Sequence, residues 1–168
     1  MKLKNVMYIC SYRTMQQLNL PVISARLREG KNGKQEIFDG IRKKFVRITP
    51  EEWVRQHFLQ FMTGQLGFPA SLIVVEAMIL YNGMKKRFDV LACDSDGKPL
   101  LVVECKAPSV EITQAVFDQV AMYNMTLTVD YIVVTNGISH YACKIDHQTR
   151  TYTFLKEIPA YEIVNRKS

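Results

Sequence analysis

The chain reads as a single α/β domain of the α+β kind, a mixed central sheet flanked by helices in the order helix, three strands, helix, strand, then a C-terminal hairpin. Three observations predict it. Apolar runs around Asn82-Gly83 and Asp96-Gly97 mark two consecutive hairpins, because Asn-Gly and Asp-Gly suit type I′ turns, which need φ > 0 at both central positions. Residues 50–64 and 110–125 carry apolar side chains at helical spacing on either side of those strands. A further apolar segment at 130–135, ended by Asn136-Gly137, precedes two strand-like segments at 139–145 and 150–156.

Composition sets the frame. With 168 residues, 48% hydrophobic and 23% charged, the chain is an ordinary globular domain with enough length for a core. No apolar run approaches the roughly 20 residues of a membrane span, and the Lys-bearing start lacks a sustained signal-peptide core. A cytoplasmic protein with no membrane partner is expected. Cys10, Cys93, Cys105 and Cys143 are scattered without CxxC spacing, which favours reduced thiols over disulfides or zinc. The net charge of +6 is uneven: residues 1–50 carry +8 and residues 51–168 carry −2. A basic N-terminal extension or arm over 1–48, packed on a core domain over 49–168, is therefore expected. It would draw a polyanion towards carboxylates, although a solvated basic face explains the charge equally well.

Taken in order, Leu18–Pro21 is extended and Arg26–Lys34 turn-like. Residues 35–48 form a strand or irregular arm whose Arg42, Lys43, Lys44 and Arg47 are the best candidates for backbone-phosphate contacts. Thr49-Pro50-Glu51-Glu52 starts a helix: Thr as N-cap, Pro at N1, and Glu52 at N3 completing a capping box. Glu51 suits the helix dipole, with an inward lean as the lesser reading, and His57 is expected at the helix surface or boundary. Residues 72–80 form a strand interrupted by Glu76. Pairing Tyr81 with Met84 places Glu76 opposite Asp89, unless a bulge turns it to the other face. Strands 87–94 and 99–106 follow. Pairing Ser95 with Lys98 sets Asp89 directly opposite Glu104 and Arg87 opposite Lys106, with Lys106 on the same face as Glu104.

Two carboxylates so placed repel, with Cβ atoms roughly 5 Å apart. Such a pair survives only with a cation between the acids or a proton on one of them. Two acids and an ammonium at one end of an apolar hairpin suit a hard cation and a water. In the second helix, Ile112, Val116 and Val120 form the apolar stripe, with Gln119 and Tyr123 one turn apart on the same side. His140 and His147 read as structural. There is no GxxxxGK[ST] loop, GxGxxG or GxSxG elbow, so neither ATP use nor dinucleotide chemistry is expected.

Phe88-Asp89, fourteen residues, then Glu104-Cys105-Lys106 resembles the PD-(D/E)xK nuclease superfamily. Within it the chain is most similar to the nuclease domain at the N-terminus of the type I restriction enzyme R subunit. The resemblance is carried by TPEEWVRQ at 49–56, RFDV at 87–90, VVECKAP at 102–108, FDQVAMYN at 117–124 and VVTNG at 133–137. It implies a restriction-endonuclease-like core over 49–168 and a Mg²⁺- or Mn²⁺-dependent nuclease acting on nucleic acid, DNA ahead of RNA. It implies Asp89, Glu104 and the Cys105 carbonyl as metal ligands, Lys106 on the attacking water, and Glu76 reaching the metal through water. Gln119 and Tyr123 would orient Lys106 or a phosphate. Phe88 stands where the family often has Pro. The R subunit's helicase motor has no counterpart in this sequence, so translocation and ATP use are not implied. A protein partner or a second copy is left open. The competing readings are a nucleic-acid-binding module that keeps the fold without hydrolysis, and a cross-strand ion cluster that only caps the hairpin.

Overall fold

In the computed structural model, residues 15–31, 33–81, 84–125 and 129–166 are described. A small antiparallel sheet comes first: β1 (Leu27–Glu29), β2 (Gln35–Asp39) and β3 (Lys44–Arg47). Helix α1 (Pro50–Gly64) leads through a single 3-10 turn to β4 (Ile73–Tyr81), β5 (Met84–Cys93) and β6 (Pro99–Cys105). Then come α2 (Gln114–Met125), β7 (Tyr131–Thr135), β8 (His140–Asp146), β9 (Thr151–Phe154) and the short α3 (Tyr161–Val164). Strands β4 to β9 make one six-stranded sheet in sequence order. All neighbours are antiparallel except β6 and β7, which α2 joins as parallel strands. The expected helix–three strands–helix–strand order with a closing hairpin is thus observed.

Alternation along β7 shows the layering. Val133 packs with Val54, Phe58 and Met62 of α1, whereas Ile132 and Val134 pack with Phe117 and Ala121 of α2. The two helices therefore cover opposite faces, and β7 is buried throughout, as a central parallel strand should be. Helix α2 begins at Gln114, four residues later than the pattern suggests. Thr113 accepts from the Val116 amide, and its carbonyl takes the Phe117 N–H, so the helix starts at its own cap. Phe117 and Ala121 form its core stripe, and Val116 is only half-buried.

Both hairpin registers carry through, one by an unexpected route. Tyr81 pairs with Met84 and Ile73 with Ala92, as expected; Asn82-Gly83 itself lies outside the described residues. In the β5–β6 hairpin the turn is one residue longer than a type I′ loop. Asp94, not Ser95, faces Lys98 (Asp94 N–H donates to the Lys98 carbonyl, 2.9 Å), and Gly97 sits at φ 81. This is a three-residue loop with glycine in the left-handed position. A bulge between Ala92 and Cys93 then restores the expected pairing of Val90 with Val103 and Leu91 with Val102. Asp94 stabilises the turn by accepting from the amides of Asp96 and Lys98.

The small sheet is tied to the large one. Ile37 and Asp39 are fully buried, and Leu18, Leu20 and Ile41 pack against the α1 side of the core. The Asn19 amide donates to the Gly137 carbonyl (2.7 Å), and the Asn19 carbonyl meets His140 Nε2 (2.8 Å). Gly137 is required there: φ is 81, and a Cβ would lie 2.7 Å from Leu18 Cδ2. Asn136 braces the same turn, accepting from Ile138 and Ser139 and donating to the Val110 carbonyl.

Candidate functional site

The N-terminal turn of α1, the middle of β4 and β5 and the end of β6 bring their charged residues together. Thr49 caps α1, accepting from the Glu52 amide at 3.0 Å. The reciprocal half of the expected capping box does not form. Glu52 is buried and turns its carboxylate to Arg42, Arg55 and Gln56 instead. Two guanidiniums and the Gln56 amide offer this carboxylate more donors, two of them charged, than the single N–H of a capping box.

Arg55 organises the site. Its side chain is only 5% exposed and bonds Glu52, Glu51 (3.0 Å) and Asp89 Oδ1 (2.8 Å). Burial alone would lower the pKa of this guanidinium, but Asp89 and Glu52 raise it well above the usual value, so it is always charged. Asp89 Oδ2 accepts the Cys105 amide at 2.8 Å. The β5–β6 ladder ends at Val90–Val103, and the Asp89 side chain takes over the bonding that the strands give up. Asp89 and Glu104 stand level beyond that last pair, and Glu104 bonds Lys106 Nζ at 2.7 Å. Burial pushes the Glu104 carboxyl up, the Lys106 bond pulls it back, and the charges of Asp89 and Glu51 add to the rise. Burial would depress the Lys106 ammonium, but its bond to Glu104 and the charges of Glu104, Asp89 and Glu51 win and raise it. The like-charge pair is thus held as electrostatics demands, with a cation on each acid.

Glu76 has a different surrounding. It sits at φ 55 and forms no ladder pair with Asp89, although Val75–Val90 and Ala77–Phe88 pair on either side. Its carboxylate is shared between Arg42 Nη1 (2.9 Å) and Arg87. Burial would raise its pKa, but the arginines lower it. Both of its oxygens are on arginines, Arg42 and Arg87. Arg87, expected opposite Lys106, is an exposed partner of Glu76.

Of the run expected to contact phosphate, Lys43, Lys44 and Arg47 are exposed, but not Arg42. It is 11% exposed, with Nε on Asp39 and the two terminal nitrogens on Glu52 and Glu76, so all three nitrogens are engaged within the protein. Asp39 is fully buried. Burial would raise its carboxyl, but the amide and guanidinium of Arg42 and the Gln56 amide hold it below the usual range. His57 is buried rather than at the surface, with Nδ1 on the Trp53 carbonyl (2.9 Å) and its pKa lowered by burial. The side chains of Gln119 and Tyr123 lie outside the described residues, as does Cys10. Cys93, Cys105 and Cys143 are free thiols.

Sequence reasoning missed Arg55, Arg42, Asp39 and Gln56. The signal for the helical ones was present: Glu51, Glu52, Arg55 and Gln56 lie three and four apart, beside the Val54–Phe58 stripe. The ring comprises six carboxylates (Asp39, Glu51, Glu52, Glu76, Asp89, Glu104) and four cations (Arg42, Arg55, Arg87, Lys106), a formal excess of two negative charges. Among the described residues no three of His, Cys, Asp and Glu stand close enough to hold a metal alone. The donor set suits a cation that takes one or two carboxylates and completes its shell with water and phosphate, as Mg²⁺ does. It does not suit zinc.

A sequence profile of the type I restriction enzyme R protein N terminus (HSDR_N) matches residues 50–159. No curated protein matches the chain. Among solved structures, a fragment assigned to the HsdR subunit of a type I restriction enzyme from Vibrio vulnificus YJ016 shares the fold. It has a TM-score of 0.50 and 20% identity over 67% of this chain, and the match covers 24% of that structure. The matched region contains α1, the acids of β5 and β6, and α2, and the chain belongs to the family of type I restriction enzyme R protein N-terminal domains.

Proposed function

We propose that the chain is a metal-dependent nuclease that hydrolyses phosphodiester bonds of DNA, as a PD-(D/E)xK enzyme of restriction systems. The observation that carries this reading is the Asp89–Glu104–Lys106 cluster inside a ring with a formal excess of two negative charges. Asp89 and Glu104 would hold Mg²⁺ or Mn²⁺, with the Cys105 carbonyl as a third oxygen. A bound divalent ion lowers the pKa of its water and offsets charge at a scissile phosphate. Lys106, whose pKa is raised, stays an ammonium: it places the water and donates to a phosphoryl oxygen rather than removing a proton. Arg55 holds the Asp89 carboxylate in place from below. Gln119 and Tyr123, on successive turns of α2 beside β7, would orient Lys106 or a phosphate.

A second reading has one observation in its favour. Both Asp89 oxygens are already bonded, to Arg55 and to the Cys105 amide, as in a module that binds nucleic acid without cutting it. Type I R subunits assemble with other proteins, and a protein partner that supplies specificity fits either reading. Calorimetric titration with Mg²⁺ and Mn²⁺, followed by plasmid and oligonucleotide cleavage, separates the two. Wild type should bind metal and cleave, while Asp89→Ala/Glu104→Ala should do neither. Lys106→Ala should bind metal but lose about 10²–10³ in rate, the cost of one positioned donor. Cleavage that survives in all of these variants would sink the nuclease reading.

A further inference from the structure

The small sheet β1–β3 lies before the family-matched region and has a face that the acid site does not use. Strand pairing puts Arg28, Glu36 and Arg47 in one cross-strand row. Arg26, Phe38 and Phe45 make the next row on the same face. Ile37 and Asp39 point the other way, into the core. Arg26 lies over the Phe38 ring at 3.6 Å and Arg28 over the Phe45 ring at 4.0 Å. The two rings meet edge to face, 5.3 Å apart. Two arginines are thus held over a pair of aromatic rings. The side chain of Arg28 is nevertheless 54% exposed.

Hollows flank this pair at both ends. One, of about 430 Å³, is lined by Arg28, Lys31, Lys34 and Arg47 with Glu29 and Glu36. The other, of about 260 Å³, runs from Arg26 and Phe38 to Gln56, Gln60 and Thr63 of α1. Gln56 also donates to Asp39 and Glu52, so the second hollow touches the acid ring itself. The whole makes a track with five cations and two acids, paved by planar groups.

We propose that this face binds single-stranded DNA: Arg26, Arg28, Arg47, Lys31 and Lys34 take phosphates, and the outer faces of the stacked guanidiniums take bases. The inference deepens the nuclease reading and rests on its premise that the chain acts on nucleic acid. Arg26 and Arg28, two residues apart on one strand, are about 6.6 Å apart along it, a spacing that lets each meet its own nucleotide. Guanidinium planes stack on bases, and aromatic or planar floors beside a basic groove are how strand-binding proteins work. A duplex keeps its base faces covered and could use only the edges of the arginines. The Arg28–Glu36 bond (2.7 Å) orients the guanidinium and leaves it further donors.

The test uses the full chain in EDTA, so cleavage plays no part. Anisotropy of a labelled 20-mer oligothymidylate and of a duplex of equal length is measured over a salt series. Wild type should prefer the single strand. Arg26→Ser/Arg28→Ser should weaken that binding at least tenfold and reduce the salt slope by about 1.4, since each lost phosphate contact on a single strand is worth about 0.7. Arg26→Lys/Arg28→Lys should keep the slope but lose affinity, since lysine keeps the charge without the plane. Binding is read without metal and cleavage with it, so loss of strand binding and loss of metal-dependent cleavage are separate outcomes, which keeps this inference apart from the catalytic one. Unchanged affinity and slope in the serine variant would overturn the proposal, as would a preference for duplex or equal binding of polyglutamate.

Discussion

Arg42 and Arg55 lie inside the acid ring, and Arg26 and Arg28 lie on the outer face of the small sheet. All four are arginines in or near a strongly basic segment, yet the structure uses them in opposite ways. The inner pair is 11% and 5% exposed, and each member bonds three carboxylates. The outer pair rests on phenyl rings and keeps donor edges in water. Charge counting treats the four alike; what separates them is which neighbours desolvate them. A buried guanidinium is committed to its acids, because removing either partner strands a charge. An exposed one on a ring is ordered without being consumed, which is what a ligand needs.

This contrast can be broken in three ways, in decreasing size. Arg55→Ala leaves Glu52 and Asp89 near one another without their shared cation. It should cost about 3–5 kcal/mol by urea denaturation, and Arg42→Lys nearly as much, since a compact ammonium lacks the span of the guanidinium fork across three separate carboxylates. A loss below about 1 kcal/mol in both would mean the inner arginines are no more committed than the outer ones.

The second effect is in pH. The folded pKa of Glu104 is raised above its ordinary value of 4.5, so the folded state holds a proton longer and loses stability as pH rises through that window. Glu104→Gln should therefore match wild type at pH 4 and melt higher than wild type at pH 8. Asp39 and Glu76 shift the other way. Their stabilisation is complete above the ordinary carboxylate range and is lost as pH falls through their lowered values, so Asp39→Asn should flatten the acid limb of the stability curve. The smallest effect is at the outer pair. Arg26→Ser/Arg28→Ser should change stability by about 1 kcal/mol, two exposed cation–π contacts at the lower end of their range, while DNA binding changes tenfold or more.

Much of the fold was legible because it depends on local signals. The Thr49 cap, the apolar stripe of α1, the β4–β5 register and the closing hairpin each follow from spacing alone. The Asp89–Glu104–Lys106 cluster was legible for the same reason, since period-2 alternation and a nearly correct turn suffice. Arg42 and Asp39 were not, because their roles depend on how the small sheet docks on α1, and no sequence period encodes that. The spacing of Arg55 from Glu51 and Glu52 was readable, but its reach to Asp89 depends on how α1 docks on β5. The basic run at Arg42–Arg47 shows the consequence. Its most buried member serves the acids, and only Lys43, Lys44 and Arg47 remain exposed. The track on β1–β3 escaped for a related reason: Arg26 and Phe38 become neighbours only once the register of a sheet read as turn and arm is known.

The β5–β6 hairpin contains a further lesson. Its turn is one residue longer than the two-residue loop that Asp-Gly suggests, and the bulge at Ala92–Cys93 absorbs the difference before the ladder reaches Val90–Val103. The bulge works as an expansion joint. Length changes at the tip are taken up there, several residues short of Asp89 and Glu104, while buried valines on both strands pin the register below. The Ser95–Gly97 tip is therefore the place where this domain accepts an epitope, a fluorophore or new chain termini without moving its acids.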